Sequence, residues 1–474
     1  GLRSLGKYQH ILTSTGNFRF TTNYKTKNKR YVARAHIVMQ DLLNEENGGV
    51  TDDNIPFFES GNPEFIDRSI LEVNFENAEN ILKGKRFHLD HSYALLNKND
   101  SISKNKIRIG HIISFEDKYY EFNQTNSNDY FGDAFRSSGL RDRVTLEHFT
   151  NQFNLNYKND TVGDLQFGVN YENYNYGYDN LVVLNGNTIT NRIKGDVISL
   201  NGKYQKRLNK LKIKGELGVN VSGELDGNYL LGEATYSITD SISASANIMH
   251  SSKAPNYNYL LYQSDYINYN WQNNFNNIET QQVVFNLNFK KFGEVSVDYS
   301  TISDYTYFKK NESDDLVKPF QNDKSVSYLK VKLSNDIKYK KFTLNNTILY
   351  QNVNDENNTI NVPEIITRNT LYYSNHFFKK ALYLQTGVIF NYFTEYYMNA
   401  YDPLLAEFYT QNQTKYGGFP RLDFFVNAKI RQTRIFLKAE HINSAWTGYN
   451  FYSAPNYPYR DFTVRFGLVW NFFL

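Results

Sequence analysis

Apolar and polar residues alternate along most of this chain with a period of two, which is the side-chain repeat of a β-strand. In 210–222 the odd positions are apolar or small and the even positions are polar or Gly, and 329–340 and 422–431 show similar alternation. The chain ends on "DFTVRFGLVWNFFL" (461–474), whose even positions are all apolar. A soluble strand needs only about five or six residues, so this apolar face is longer than a soluble sheet requires.

Runs of this kind predict about nineteen strands, most of them longer than the roughly ten residues that a tilted membrane strand needs. They lie near 15–25, 30–41, 84–97, 104–122, 142–158, 162–177, 191–207, 210–223, 226–238, 241–253, 276–290, 293–309, 324–339, 341–354, 363–378, 380–398, 420–432, 433–446 and 459–474.

The connections between these runs alternate between short and long. Very short turns are predicted at 158–161, 208–210, 238–241, 290–293, 338–341, 378–381 and 431–434, and long loops around 123–141, 254–275, 309–323, 399–419 and 447–458. Short periplasmic turns and long extracellular loops are typical of outer-membrane barrels. The predicted fold class is therefore all-β, a large antiparallel transmembrane β-barrel of about twenty or more strands.

The order of turns and loops leads to two further expectations about a single barrel domain, 1–474. Counting back from a periplasmic C-terminus places residue 1 on the extracellular side, so we expect the first strand or strands of the barrel to be absent from this chain. Residues 42–83 fit best as one long extracellular loop with a short strand at 69–76 and a helical turn at "ENAENILKG". This loop either folds inward as a pore constriction or caps the surface.

Composition supports a barrel and excludes several other classes of protein. Aromatic residues make up 16% of the chain, and mean hydropathy is −0.60 without any apolar run of membrane-helix length. A barrel needs apolar residues only at every second position, so it can be polar on average. The net charge of +3 gives no reason to expect nucleic-acid binding, and the absence of Cys excludes disulfides and thiolate sites.

Both ends of the chain resemble the putative porins of Bacteroidota, outer-membrane barrels with poorly defined substrates. The resemblance rests on 1–36, "NEENGGV" (44–50), 77–95, 423–443 and "FYSAPNYPYRDFTVRFGLVWNFF" (451–473). It implies further sequence before the "RSLGKYQ" region and no catalytic residues. The terminal strand also resembles the assembly signal of outer-membrane proteins, although it ends on Leu474.

In this barrel the two faces of each strand have different environments. On the terminal strand, the residues expected to face lipid are Phe462, Val464, Phe466, Leu468, Trp470 and Phe472. The candidates for the wet lumen are Lys210, Lys212, Lys214, Lys330, Lys332, Lys429, Arg431 and Arg465. Charged rings that line a pore tune ion selectivity, so these residues predict a mild anion preference, with plain solvation near the short turns as the alternative.

Two further groups of residues have both a functional and a structural interpretation. The loop 44–54 offers Glu45, Glu46, Asp52 and Asp53 to a hard cation such as Ca²⁺, but without the spacing of an EF-hand, and a solvated loop is the alternative. Aromatic clusters at 170–178, 256–271, 392–401 and 449–459 are expected to form the interfacial girdles of the barrel. A stacking platform for sugars is the other interpretation of these aromatics.

The leading functional hypothesis is a porin-like channel for passive diffusion of small hydrophilic solutes. The alternatives are a structural or docking barrel subunit of a multi-protein outer-membrane assembly or secretion complex, and a gated transporter whose plug lies outside this chain. We expect no enzymatic activity, no cofactor and no metal. The expected location is the outer membrane of a Gram-negative bacterium. Expected partners are outer-membrane lipid and the barrel assembly machinery, with a homo-oligomer, other outer-membrane proteins or surface lipoproteins as further alternatives.

Overall fold

A computed structural model of the chain describes residues 2–4, 6–96, 105–184 and 186–470. Most of the chain is β-structure, and thirty strands occur in the described residues. They are β1 (Leu2–Ser4), β2 (Thr13–Lys25), β3 (Tyr31–Glu46), β4 (Ala78–Leu96), β5 (Asn105–Asn126), β6 (Ser138–Asn159), β7 (Gly163–Gly177), β8 (Val182–Leu184), β9 (Asn187–Ile189), β10 (Arg192–Leu208), β11 (Leu211–Ser222), β12 (Gly227–Thr239), β13 (Ile242–Lys253), β14 (Leu261–Tyr262), β15 (Trp271–Gln272), β16 (Ile278–Phe289), β17 (Gly293–Ser303), β18 (Thr306–Lys310), β19 (Val317–Gln321), β20 (Val326–Tyr339), β21 (Phe342–Asn354), β22 (Ile365–Phe377), β23 (Leu382–Phe393), β24 (Ala400–Asp402), β25 (Glu407–Tyr409), β26 (Arg421–Ile430), β27 (Thr433–Glu440), β28 (Tyr452–Ala454), β29 (Tyr457–Pro458) and β30 (Thr463–Trp470).

Twenty of these strands form one antiparallel sheet in which neighbours along the sheet are also neighbours along the chain. The other ten pair within the loops as five small hairpins: β8 with β9, β14 with β15, β18 with β19, β24 with β25 and β28 with β29. The helical elements are α1 (Ile55–Glu59), α2 (Tyr257–Leu260) and two 3₁₀ turns, Pro63–Phe65 and Arg68–Ile70. Among the described residues, no helix is long and apolar enough to cross a membrane.

The all-β fold class is confirmed, and each of the nineteen predicted strands has a counterpart in the sheet. The prediction of one long loop over 42–83 is wrong at both ends, which belong to β3 and β4. Strand β4 already begins at Ala78, where "ENAENILKG" was expected to be helical, because its first residues pair with the end of β3. Segment 69–76 contains part of a 3₁₀ turn and one bridge, Val50 to Val73, instead of a strand.

The short turns have the local chemistry that tight reversals need. In the turn after β6, the Asn159 side chain accepts hydrogen bonds from the backbone N–H groups of Thr161 (2.7 Å) and Val162 (3.1 Å). Gly163 then adopts φ +110°, and a Cβ there would lie 2.7 Å from the Gln205 carbonyl oxygen. Only glycine has both the conformation and the space, so this position fixes the reversal into β7.

The inner face of the sheet is identified by contacts with a distant loop. Tyr120 on β5 donates to the Leu404 carbonyl (3.2 Å), and Glu46 at the end of β3 accepts from Tyr401 (3.1 Å). Both partners belong to the connection 394–420 between β23 and β26, which lies far from β3 and β5 along the sheet. A loop can reach these strands by crossing the mouth of the barrel, so the face that carries Tyr120 is the inner one.

Strands β4, β5 and β6 are taller than the others, with 19, 22 and 22 residues. On their outer faces, ion pairs mark the upper end of an apolar belt: Lys83 with Asp41 (3.2 Å) and Lys85 with Asp117 (3.7 Å). Below them the outer positions of β5 are mainly apolar down to Ile107. The upper parts of these strands therefore extend beyond the belt on the side of the long loops.

Candidate functional site: the lumen wall and the loop cap

The inner-face side chains of the twenty-stranded sheet, here called the lumen wall, are predominantly polar. Cross-strand registers place these side chains in continuous rows; in one row Arg19, Val38, Arg86, Glu116 and His148 lie side by side on five consecutive strands. Because successive side chains on a strand alternate between faces, the outer neighbours of these residues are largely apolar. The period-two pattern of the sequence thus separates a wet face from an apolar one.

A cavity of about 1010 Å³ lies along the wall between β4 and β16. Its lining contains five basic and four acidic side chains together with the amides of Asn154, Asn156, Gln166, Gln205, Asn247 and Gln282. Aliphatic residues such as Leu231 and Met249 occupy only part of the surface. The cavity is therefore suited to hydrated or hydroxyl-bearing solutes rather than to an apolar ligand.

Six of the basic residues predicted to face the lumen occupy inner-face positions of strands: Lys212, Lys214, Lys330, Lys332, Lys429 and Arg465. The other two, Lys210 and Arg431, lie in two-residue turns and not on the wall. These turns begin with residues in the left-handed region, Asn209 (φ 53°) and Arg431 (φ 51°). The alternation ends where the turn begins, which is why the pattern misplaces these two residues.

Five long connections pack together over the mouth of the barrel and form what we call the loop cap: 127–137, 178–191, 254–277, 304–325 and 394–420. Their shared core is aromatic, and its fully buried members include Phe131, Tyr266, Tyr269, Phe308 and Leu404. The ring of Phe131 packs against several other aromatic rings. Its centroid lies 5.0 Å from that of Tyr266 and 6.1 Å from that of Tyr269. The cap is therefore a packed unit with its own hydrophobic core.

The cap changes the interpretation of the aromatic clusters. Several aromatics of 170–178 and 256–271, including Tyr174, Tyr262 and Trp271, are buried in the loops or at their junction with the wall, and so do not form a girdle at the membrane surface. Phe451 and Tyr452 of 449–459 are buried as well, whereas the aromatics of 392–401 are half-buried. The girdle interpretation is thus wrong for the buried members of these clusters, because a loop core and an interfacial belt use the same residue types.

Hydrogen bonds fasten the cap to the wall. The Tyr262 hydroxyl donates to the Leu404 carbonyl (2.9 Å), the same oxygen that Tyr120 contacts from β5. The Tyr266 hydroxyl donates to the Gln124 side chain of β5 (2.6 Å), and Ser264 contacts Asp142 of β6. These bonds join the connection 254–277 to strands β5 and β6, so the cap spans the mouth instead of standing above it.

Asp402 is the buried acid at the centre of the cap, with 3% of its surface exposed. Its carboxylate accepts from the Tyr269 hydroxyl (2.9 Å) and from the backbone N–H groups of Leu404 and Leu405 (3.0 Å each). Burial nevertheless raises the pKa of this carboxyl from 3.8 to about 6, because removal from water penalises the charged form more than these donors stabilise it.

A second apolar cluster lies at the rim, where the connection 47–77 meets 441–462. Val50, Phe58 and Leu71 pack there against Phe451 and Tyr452. These contacts are with other loops, as in a cap over the rim.

A buried ion pair holds the same two connections together. The Arg68 guanidinium donates to both oxygens of Asp461, from Nε at 3.2 Å and from Nη2 at 2.9 Å. It also stacks over the rings of Phe58 (4.6 Å) and Tyr449 (5.1 Å). Because Asp461 lies two residues before β30 and Arg68 precedes β4, this bidentate pair links parts of the sheet that are far apart in sequence.

The predicted cation site does not assemble. Glu45 and Glu46 are consecutive on β3 and point to opposite faces. Glu45 accepts from the Leu12 N–H (2.8 Å), Asp52 accepts from the Asn456 amide (2.7 Å), and Asp53 is exposed. Within the ranges that the structure describes, no group of three or more His, Cys, Asp or Glu could hold a metal ion.

The terminal strand exposes the face that the alternation assigns to lipid. Val464, Phe466, Leu468 and Trp470 are all exposed, Phe466 by 82%. Phe462 is exposed too but lies just before β30, and Phe472 lies outside the described residues. On the opposite face, the Arg465 guanidinium contacts Glu440 (3.0 Å).

A polar chain crosses the outer face at the level of the apolar belt, and the strand pattern did not reveal it. His91 and His111 share a hydrogen bond between ring nitrogens (2.8 Å), and His111 also contacts Asn151 (2.8 Å). Phe153 stacks on His111 at 4.4 Å between centroids. Mutual hydrogen bonding lets these side chains face hydrocarbon at lower cost. The sequence signal that could have revealed this chain is the presence of three polar residues at outer positions of neighbouring strands.

A sheet with an apolar outer face, a polar inner face, short turns at one end and packed loops at the other defines a membrane-type β-barrel. The family model described as "Putative porin" matches residues 1–474, and the chain belongs to this family. No curated protein sequence matches it.

Solved outer-membrane barrels share the fold. The copper transporter OprC aligns with a TM-score of 0.68 at 11% identity, covering 98% of this chain and 73% of OprC. The siderophore receptor PirA from Acinetobacter baumannii gives 0.66 at 10% identity, covering 97% and 71%. A mutant form of the ferric enterobactin receptor PfeA from Pseudomonas aeruginosa gives 0.65 at 9% identity, covering 97% and 69%. At these identities the likeness concerns the fold alone.

Family and fold together indicate an outer-membrane location in Gram-negative bacteria and a role in transport. They also suggest a role other than catalysis.

Proposed function

We propose that this protein is an outer-membrane channel through which small hydrophilic solutes diffuse passively. The observation that carries the proposal is the lumen wall, whose polar side chains continue from strand to strand and line a cavity of about 1010 Å³. A barrel of about twenty strands is too wide for side chains to fill, so a polar interior of this size contains water. Membership of the putative porin family supports the same function.

The loop cap limits which solutes could pass. Its aromatic core and its hydrogen bonds to β5 and β6 cover part of the mouth, so solutes would move between the cap and the remaining wall. A narrow path of this kind favours small solutes over large ones and makes conductance sensitive to cap packing.

Reconstitution into planar bilayers tests the channel directly. We expect stable conductance from the purified chain, and a higher conductance when the cap is loosened by Trp271→Ala, since the indole N–H of Trp271 donates to the Asn258 carbonyl (2.9 Å) within the cap. Phe408→Ala, at an exposed position of the same loop system, serves as the control and should leave conductance unchanged. A folded protein that stays silent in both forms would exclude passive diffusion.

The second candidate is a gated transporter, and the cap is the observation that favours it. A packed core over the mouth is a candidate for a closed state, and the fold neighbours include proteins described as a copper transporter and as receptors for siderophores. For this candidate the wild-type chain should be silent and the Trp271→Ala variant conducting. A conducting wild-type protein would favour the passive channel.

The partners expected from the sequence remain proposals within this function. The exposed apolar faces of strands such as β30 fit outer-membrane lipid. Contacts with the barrel assembly machinery, a second copy of the chain, other outer-membrane proteins or surface lipoproteins can be sought by crosslinking in the native membrane.

A further inference from the structure

Three of the five basic side chains that line the cavity form cross-strand pairs with acids of the lumen wall. Along the cavity these pairs are Lys158 with Asp164 (2.6 Å), Lys203 with Glu216 (2.7 Å) and Lys214 with Glu233 (2.6 Å). Each pair joins neighbouring strands of the arc from β6 to β12, and all three pairs line the same cavity. The lysines of this arc therefore do not form a ring of positive charge.

The opposite arc of the wall contains further pairs. Lys330 contacts Asp298 (2.6 Å), Lys438 contacts Asp423 (3.1 Å) and Glu440 (2.9 Å), and Glu440 also contacts Arg465 (3.0 Å). Of the six predicted basic residues on the inner face, Lys214, Lys330 and Arg465 are thus paired with an acid on the adjacent strand, whereas Lys212, Lys332 and Lys429 have no ion pair among the described residues.

Such pairs have little influence on an ion in the lumen. Selectivity between ions comes from rings of like charge, whereas opposite charges this close together act as short dipoles. Their separation is well below the screening length of about 8 Å at physiological ionic strength. An ion near one of these pairs therefore experiences nearly cancelling contributions, and the five basic and four acidic side chains of the cavity lining leave a formal charge of only +1.

The remaining polar lining consists mainly of amides. Asn154 accepts hydrogen bonds from Gln152 and Gln166 (3.1 Å each), and Gln282 donates to both oxygens of Asp298 (2.9 and 3.0 Å). An amide side chain both donates and accepts, as a sugar hydroxyl does. An uncharged solute rich in hydroxyl groups can exchange its hydrogen bonds with water for bonds to this wall without the cost of desolvating a charge.

We propose that the lumen wall selects for uncharged, hydroxyl-rich solutes such as small sugars and does not distinguish anions from cations. This inference rests on the proposed channel function and specifies its substrate class. The anion preference expected from the lysines alone is the competing outcome.

Two measurements on the reconstituted full chain test the proposal. In planar bilayers under a KCl gradient, the reversal potential should lie near zero, with potassium and chloride permeabilities within about a factor of two. In liposome swelling, glucose should permeate faster than gluconate and glucosamine, which have nearly the same size and carry opposite charges.

Single substitutions that leave one charge of a pair behind should create the selectivity that the wild type lacks. Glu216→Gln leaves the Lys203 ammonium and should shift permeability towards chloride, whereas Lys214→Gln leaves the Glu233 carboxylate and should shift it towards potassium, each by about twofold or more. The double variant Lys203→Gln with Glu216→Gln should return to the wild-type value. Lys83→Gln removes one charge from a similar pair on the outer face and should change nothing.

The outcomes separate the two claims. A conducting channel that prefers one sign of ion about tenfold, or that passes gluconate faster than glucose, overturns the substrate class and leaves the channel function standing. Unchanged reversal potentials in both single variants would also overturn the proposed substrate class, because the ion pairs would then lie off the solute path. Silence of the wild type and of the cap variant overturns the channel function and, with it, the inference.

Discussion

The loop cap and the lumen wall differ in how they accommodate polar groups. In the cap, polar atoms such as the Asp402 carboxylate and the Tyr269 hydroxyl are buried and bonded to each other inside an aromatic core. On the wall, charged pairs such as Lys203 with Glu216 keep a large part of their surface exposed. Removing a partner therefore leaves an unsatisfied buried group in the cap, whereas on the wall water takes its place.

This difference separates stability from selectivity. Substitutions in the cap should change the free energy of cap opening and, through it, conductance. Substitutions on the wall should leave stability nearly unchanged and act on which solutes pass.

Phe131→Ala should have the largest effect. Phe131 is fully buried and packs against rings of Tyr266 and Tyr269, so truncation should cost about 3–5 kcal/mol of cap stability. Phe135→Ala, in the same loop but 51% exposed, should cost about 0.5 kcal/mol or less. Hydrogen exchange of cap amides measures both, and equal effects would show that the cap has no cooperative core.

Arg68→Ala tests the second cluster of the loop side. The Arg68 side chain is 3% exposed and Asp461 15%. Removing Arg68 leaves Asp461, among the described residues, with only the exposed Lys7 at 3.6 Å, so we expect a loss of about 3 kcal/mol. The exposed pair Lys83 with Asp41 is the control, and Lys83→Ala should leave this region unchanged. Limited proteolysis within 47–77 is the measurement. Similar cleavage rates in the two variants would contradict the role of this pair as a link between connections.

The cap should also be more stable in acid than at neutral pH. The folded-state pKa of Asp402 is raised from 3.8 to about 6, so the folded cap holds this proton more tightly than the unfolded chain does. Its contribution is fully present below about pH 4 and is lost as the pH rises to about 6, on the order of 2–3 kcal/mol in total.

Asp402→Asn should remove the part of this pH dependence that comes from Asp402, since the amide oxygen can still accept from Leu404 and Leu405 while the group no longer titrates. Asp53→Asn, at an exposed position, should retain it. Cap opening measured by hydrogen exchange between pH 4 and 7 distinguishes them, and an identical slope in both variants would assign the dependence to other acids.

The lumen wall could be predicted from the sequence because the period-two alternation indicates which side chains share a face of the sheet. The pairing of Lys214 with Glu233 was also within reach, since the residues lie on strands joined by a short connection. The cap could not be predicted. Tyr120 and Leu404, Glu46 and Tyr401, and Arg68 and Asp461 are each separated by more than 280 positions, and no local pattern encodes such contacts.

The environment of the aromatic clusters could not be predicted from the sequence either. Tyr and Trp suit an interfacial belt because they combine an apolar ring with a polar tip, and the same property lets Tyr262 and Trp271 pack in the cap while bonding to backbone carbonyls. Composition cannot separate the two environments. The decisive information is the path of each loop, which depends on the sheet beneath it.

Lys330→Gln should have the smallest effect and gives the sharpest contrast with Asp402. The Lys330 side chain is 32% exposed and its partner Asp298 14%, and Gln282 still donates to both oxygens of Asp298 when the lysine is removed. We therefore expect a loss of less than about 1 kcal/mol in thermal stability, together with a shift of the reversal potential towards potassium. A loss as large as that of Phe131→Ala would show that the wall pairs stabilise the barrel as strongly as the aromatic core stabilises the cap, and the division between the two regions would not hold.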